Sequence, residues 1–242
     1  MFISLENFKK RIEFSMVPHF LNESEIEEKC ISAINAEVGV ICVNPNYVKF
    51  VKALIGKNNI KLSANISFPW GTNITEFKVL EAQRALSDGA DQLDMVIDVG
   101  ALRSGKYKEV LNDIRSVVRV AGDKCIVKAI IETWCLSDEQ KIIACKIVEE
   151  AGAKMVKTTT GVKNQYLDFF YNNKKPKGGE IKDIILLRQN LSPSIKIKVA
   201  GGVYSLEDAF KMIKAGADQI GASKGISLIK EFEKKYLEGI DI

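Results

Sequence analysis

The sequence predicts an α/β protein, a (β/α)8 barrel forming one domain over residues 1–242, and three observations carry that expectation. Short runs rich in valine and isoleucine alternate with longer amphipathic stretches, the pattern of repeated βα units around a parallel sheet. Three helix-to-strand junctions, SDGADQLDMV, EEAGAKMVKT and IKAGADQIGA, repeat nearly the same letters about two βα units apart. Such an internal repeat favours a closed barrel over an open doubly wound sheet. No GxGxxG follows the first strand, which argues further against a dinucleotide-binding sheet. A length of 242 residues lies where α/β barrels commonly remain undivided.

Along the chain, the first expected strand is 12–15, followed by the helical pattern ESEIEEKCISAI and the strand 38–43. Strand 62–66 precedes the helix ITEFKVLEAQRALS, and strand 92–98 precedes the helix YKEVLNDIRSVV. Strand 126–132 leads to SDEQKIIACKIVEEAG, then to strand 153–158. Strand 196–200, the helix SLEDAFKMIKAG and strand 218–222 complete eight βα repeats. Several helices open on Ser, Asn or Asp-type caps, and Gly89, Gly152 and Gly216 close three of them, where a left-handed cap needs no Cβ.

Composition removes several classes of function. Apolar residues at 46% and charged residues at 27% can bury a sizeable core and leave no case for disorder. No apolar run approaches the roughly 20 residues of a spanning helix, so no membrane partner is expected. The segment MFISLENFKK places acids and lysines where a secretory leader would be apolar, so a cytoplasmic location is expected. Five cysteines without a CxxC pair are expected as reduced core thiols. His19 is the single histidine, which argues against a multi-histidine metal centre and a histidine-based triad. The formal charge of +4 comes without an aromatic-basic stripe or reading motif, so no nucleic acid is expected.

The charges inside the strands are the informative residues. In AKMVKTTTG, Lys157 interrupts a run that a parallel sheet would cover on both faces. Alternate residues of a barrel strand point inward. In QLDMVID, Asp94 shares a face with Val96 and Asp98 against an apolar Leu93, Met95 and Ile97, so both aspartates are expected inside. Lys128 shares a parity with Glu132 against Val127, Ala129 and Ile131, while Lys198 opposes Ile197 and Val199. Asp94, Lys128, Lys157 and Lys198 therefore converge on one interior. Buried ion pairs that merely brace the barrel are the alternative. Valine would serve packing without the several kcal/mol that burying each ion costs. A lysine crowded by another cation and partly desolvated favours its neutral amine, the form that attacks a carbonyl. A nearby carboxylate then moves protons as the carbinolamine loses water, so the chemistry indicated is a Schiff base.

The segments CVNPNYV, FPWGTNITEFKVLEA, GADQLDMVIDVGALRSG, KAIIET, AGAKMVKTTTG, KVAGGV and GADQIGASKG follow one another at characteristic spacings. In that order they resemble the deoxyribose-phosphate aldolases, class I aldolases of the DeoC type, over nearly the whole chain. The resemblance implies a (β/α)8 barrel that needs no metal and no cofactor. It implies that Lys157 forms the imine with acetaldehyde, that Lys198 beside it tunes its basicity, and that Asp94 shuttles protons. Glu13 and Ser15 stand at the acid and hydroxyl positions of the family's I-D-H-T motif, whose histidine is Phe14 here. With Lys128 and Thr159 they are expected to support the catalytic groups. Tyr204 stands where the family usually has arginine, and Lys224 where it has serine. The stretch after Gly161, VKNQYLDFFYNNKKPKGGE, is longer and more aromatic than usual.

Barrels often bind phosphate with the loops after strands seven and eight and a helix N-terminus. Gly201, Gly202, Gly221, Ser223 and Lys224 lie in those loops, and Gly161 and Lys163 belong to the turn after the Lys157 strand. These are the candidate phosphate-binding residues; tight turns alone are the plainer reading of AGG and GAS. The expected activity is reversible cleavage of 2-deoxy-D-ribose 5-phosphate to D-glyceraldehyde 3-phosphate and acetaldehyde. A different phosphorylated sugar or donor aldehyde is the alternative within enzymes, and a non-catalytic binding barrel the alternative outside them. Expected partners are the phosphorylated sugar and aldehyde substrates, with a homodimer left open.

Overall fold

The computed structural model describes residues 1–162 and 178–242. Eight parallel strands close a barrel: β1 (Ile12–Met16), β2 (Val40–Val43), β3 (Lys61–Ile66), β4 (Gln92–Val96), β5 (Ile126–Ile130), β6 (Met155–Lys157), β7 (Lys196–Ala200) and β8 (Gln219–Ala222). Each pairs with its neighbours in chain order, and β8 returns to β1 through Ile12 opposite Ile220. All eight expected strands are present, several shorter by a residue or two at their ends.

Several helices are capped by a side chain at the first turn, and the helices bury apolar residues against the barrel. Asn22 and Glu25 make a reciprocal capping box before helix Glu23–Asn35, as do Ser137 and Gln140 before Asp138–Glu150, and Ser205 and Asp208 before Leu206–Lys214. Outward-facing strand residues such as Leu93, Met95, Val127, Ala129, Val156, Ile197 and Val199 are wholly or almost wholly buried beneath this helical layer. The repeated junctions behave as expected: Gly89, Gly152 and Gly216 have φ of 103°, 87° and 112°, which only glycine adopts freely. Among the described residues no helix is long and apolar enough to cross a membrane. All five cysteines are free; Cys30, Cys42, Cys125 and Cys145 are buried, whereas Cys135 is half-exposed rather than in the core.

One feature lies beyond the sequence reading. Phe2–Ile3 pairs antiparallel with Ile240–Asp241, joining the two ends of the chain. Two-residue strands are too short to carry a periodic signal. The first and last helices, Leu5–Arg11 and Gly225–Lys235, meet through Phe8 stacked on Phe232 at 4.7 Å, with Phe210 edge-on to both.

A buried ion pair braces the outer layer next to β4. Lys78, on helix Thr75–Ser87, is fully buried and donates to Asp113 Oδ2 at 2.6 Å and to the Val96 carbonyl at 3.2 Å. Asp113 comes from helix Tyr107–Ala121 and also accepts from Thr75 Oγ1 at 2.9 Å. Removing one partner leaves an uncompensated buried charge, so Asp113→Ala should lower stability by about 3–5 kcal/mol in urea unfolding. The double variant Lys78→Met, Asp113→Leu should recover most of that loss. A loss below about 1 kcal/mol for Asp113→Ala, the size of a surface pair, would contradict this role.

Candidate active site

The barrel interior is built from alternate residues of each strand, and the register decides which of them meet. Asp94 lies opposite Lys128, and Lys157 opposite Lys198, on adjacent strands. Glu13 enters from β1 on the other side of the barrel. The result is one cluster of three lysines and two carboxylates. Asp94 Oδ2 accepts from Lys157 at 2.8 Å and from Lys198, while Asp94 Oδ1 lies 2.9 Å from Lys128. Glu13 accepts from Lys128 through Oε2 and from Lys198 through Oε1.

Burial separates the five. Glu13, Asp94, Lys128 and Lys198 are 0% exposed, whereas Lys157 retains 3% and reaches the open end of the barrel. There it lies 5.8 Å from the centre of the Phe68 ring. Burial opposes the charge on Asp94, but Lys128, Lys157 and Lys198 outweigh it and hold the carboxyl well below the usual range. Burial and the neighbouring Asp94 push Glu13 upward, yet Lys128 and Lys198 bring it below its ordinary value. For Lys198, burial disfavours the ammonium, while Asp94 and Glu13 prevail and raise its pKa above that of an ordinary lysine.

Sequence parity thus brought together Asp94, Lys128, Lys157 and Lys198, with Glu13 alongside. Asp98 is a correction: β4 ends at Val96, and Asp98 instead caps helix Val99–Arg103 by accepting from Ala101 N at 2.8 Å. Three interior residues were missed. Ser63 donates to Asp94 Oδ1 at 2.8 Å, and Cys42 donates to Asn65 Oδ1 at 3.5 Å. The alternation of Ser63 and Asn65 in KLSANI was the available signal. Burial, then Glu13 and Asp94, push the Cys42 thiol up to about 12, so it stays protonated. Glu13, Cys42 and Asp94 bring donor atoms within 4.8 Å of one another. Their carboxylate oxygens already hold the ammonium groups of Lys128, Lys157 and Lys198, so a divalent cation would have to displace like charges.

Above the cluster, at the carboxyl ends of the strands, lies a cavity of about 980 Å3 lined by Ser15, Lys157, Gly161, Gly201, Gly202, Gly221, Ser223 and Lys224. The expected phosphate-binding loops therefore face the same space as the lysine. Thr159 Oγ1 donates to the Ala200 carbonyl at 2.8 Å and accepts from Gly161 N at 3.1 Å, so it ties two of these loops together and engages the Gly161 amide itself. Lys224 Nζ stands 6.0 Å from the centre of the Tyr204 ring, and both side chains are exposed. His19 is exposed on the same rim, edge-on to Phe20 at 5.6 Å. Lys163 and the aromatic stretch containing Tyr166, Phe169, Phe170 and Tyr171 lie outside the described residues.

A closed parallel barrel with a buried lysine–carboxylate cluster opening at its carboxyl end defines a lysine-centred (β/α)8 protein. The chain belongs to the DeoC/LacD family of aldolases, whose family model matches residues 9–234. It is 40% identical over 224 residues to a deoxyribose-phosphate aldolase of Thermococcus gammatolerans, covering 91% of this chain and 94% of that one. The corresponding protein of Caldanaerobacter subterraneus subsp. tengcongensis is 37% identical over 237 residues, covering 97% of both. Among solved structures, the aldolase QR15 superposes with a TM-score of 0.85 at 36% identity, covering 95% of this chain and 97% of that one. A tetrameric deoxyribose phosphate aldolase from Aeropyrum pernix gives 0.83 at 27% identity, covering 95% and 92%.

The cluster makes stability depend on pH in a defined sense. Carboxyls held low contribute stability that is present above their unfolded pKa of about 4 and lost as pH falls through the lower folded values. Lys198, held high, contributes stability present below about 10.4 and lost as pH rises through its folded value. The cluster's contribution to the urea-unfolding free energy should therefore be flat across roughly pH 5–9 and decline on both sides. Glu13→Gln should lower the plateau and make the acid-side decline shallower. An acid limb of unchanged slope in that variant would show that Glu13 is not held low by the lysines.

Proposed function

We propose that this chain is a class I aldolase that reversibly cleaves 2-deoxy-D-ribose 5-phosphate into acetaldehyde and D-glyceraldehyde 3-phosphate through an imine on Lys157. The observation that carries the reading is the position of Lys157, the one member of the cluster that opens onto the cavity. Three ammonium groups face two carboxylates, so release of one lysine proton leaves the buried cluster neutral. The neutral Lys157 amine attacks C1 of the open-chain sugar, and the carbinolamine hydroxyl takes up a proton and leaves as water. The C3 hydroxyl then gives up its proton, and the C2–C3 electron pair moves toward the iminium. This releases D-glyceraldehyde 3-phosphate and leaves an enamine, which is protonated at C2 and hydrolysed to acetaldehyde. Asp94, bonded to both Lys157 and Lys198, is the group through which these protons move. Glu13 and Lys128 hold Asp94 and Lys198 in place, with Ser15 and Thr159 supporting the rim.

The phosphate is assigned to the other side of the cavity, against Gly201, Gly202, Gly221 and Ser223 and the N-terminus of helix Gly225–Lys235. Lys224 lies at the start of that helix and beside Tyr204, so it supplies the positive charge that an arginine at 204 would bring.

Two measurements check this assignment. Borohydride reduction with acetaldehyde should leave a stable adduct on Lys157 in peptide mapping, and Lys157→Ala should abolish both adduct and turnover. An adduct confined to Lys198 or Lys128 would reverse the roles, and loss of wild-type activity in EDTA would contradict metal-free chemistry. A hydrogen bond from a charged donor contributes roughly 1.5–3 kcal/mol, so Lys224→Ser should lower kcat/KM for the phosphorylated sugar by about 10- to 150-fold. Cleavage of the unphosphorylated sugar should hardly change; equal losses on both would remove Lys224 from the phosphate site.

A further inference from the structure

Glu132 is a strained and buried residue that the reaction scheme leaves unused. It follows β5 in the left-handed conformation, with φ of 55° and ψ of 62°, an uncommon state for a side chain of this kind. The pairing of this strand with β6 is interrupted there. Ile131 N donates to the Lys157 carbonyl at 3.1 Å and Thr133 N to the Thr158 carbonyl at 2.9 Å. One strand thus advances two residues while the other advances one, the signature of a bulge that re-aims a side chain. The re-aimed side chain is only 7% exposed.

Its carboxylate is fully engaged with the wall of the cavity. Both oxygens accept from Thr160 N, at 3.2 and 3.1 Å, and Oε1 also accepts from Trp134 Nε1 at 2.7 Å. Thr160 in turn accepts from Val162 N through Oγ1 at 3.3 Å. Its neighbour Thr159 is bonded to Gly161 N and to the Ala200 carbonyl, immediately before Gly201 and Gly202. Gly161 faces Gly201: a Cβ added to Gly161 would be in ordinary van der Waals contact with Gly201 N, at 3.7 Å. The carboxylate thereby anchors the turn after β6, which Thr159 ties to the turn after β7. A charge in such a buried place is costly, and a strained backbone adds to the cost; both make sense where a loop must be held in one position.

We propose that Glu132 is a positioning residue for the phosphate end of the cavity: its carboxylate fixes the Thr159–Gly161 turn against Gly201, while imine formation at Lys157 proceeds without it. The proposal rests on the function assigned above. Burial, only partly offset by Thr160, Trp134 and Lys157, raises the carboxyl pKa, in keeping with a group whose acceptor geometry matters more than its charge. Glutamine preserves the acceptor at Oε1, whereas asparagine tolerates the left-handed backbone but is one methylene too short to reach Thr160 N.

The test compares Glu132→Asn and Glu132→Gln with the wild type, using steady-state kinetics on the phosphorylated and unphosphorylated sugars and borohydride trapping of acetaldehyde on Lys157. In Glu132→Asn, KM for the phosphorylated sugar should rise about 10-fold or more, with kcat, trapping and use of the unphosphorylated sugar within about 3-fold of wild type. Glu132→Gln should restore KM to within about 3-fold of wild type. Unchanged KM in Glu132→Asn, or equal loss of trapping and of both sugars in a folded variant, overturns the positioning role while leaving the imine chemistry standing. Should Glu132→Asn not fold, Glu132→Asp, equally too short to reach Thr160 N, decides: a rise in KM confined to the phosphorylated sugar supports the positioning role, and an unchanged KM or a loss shared with trapping overturns it. A wild type that traps acetaldehyde on Lys157 but ignores the phosphorylated sugar removes the substrate reading, and this inference with it.

Discussion

The Asp94 carboxylate, shared among three lysine ammonium groups in the buried barrel interior, is the interaction on which the rest of the site depends. None of the five ions could remain charged there alone, since an isolated buried ion costs several kcal/mol. Lys128 and Lys198 satisfy both carboxylates, and what remains is an ammonium in excess whose side chain, Lys157, faces the cavity. Stability and reactivity therefore draw on the same arrangement. The barrel supplies its precision: adjacent strands in register place Asp94 against Lys128 and Lys157 against Lys198, without any loop having to hold them.

That arrangement was legible because strand parity is a rigid rule. Once eight buried runs were assigned to a barrel, an Asp or Lys opposed by Leu, Met, Ile or Val had only one side on which to lie. Ser63, Asn65 and Cys42 escaped the same rule because small polar or thiol side chains among apolar neighbours carry no comparable contrast. Asp98 was misplaced because parity says nothing about where a strand ends, and β4 ends two residues earlier than its apolar pattern. Glu132 showed its parity but not its conformation: a left-handed backbone at a glutamate has no sequence signal, and the bulge depends on pairing with β6. The ribbon joining Phe2–Ile3 to Ile240–Asp241 is a long-range contact between segments too short to be recognised singly.

Most departures from the expected family pattern fall at the edge of the site; the central one, Glu13 at the aspartate position of the motif, retains a carboxylate. Phe14 replaces a histidine, yet the adjoining Glu13 keeps its oxygen contacts with Lys128 and Lys198. Tyr204 stands where the resemblance implies an arginine and Lys224 where it implies a serine, and the two side chains line the same cavity. The proposed move of positive charge from one loop to the next is possible because both loops line the same cavity. The central cluster has no such freedom, since each of its members is bonded to at least one other.

The central claim is that this cluster makes Lys157 a nucleophile able to carry an aldehyde through imine and enamine. Exchange of the methyl protons of acetaldehyde in D2O, followed by proton NMR without any acceptor aldehyde, tests it most directly, because the iminium loses a C2 proton to form the enamine, which takes up a solvent deuteron on its return. The wild type should catalyse exchange, and Lys157→Ala should show none above background. Exchange that persists in Lys157→Ala, or is absent from the wild type, would contradict the claim.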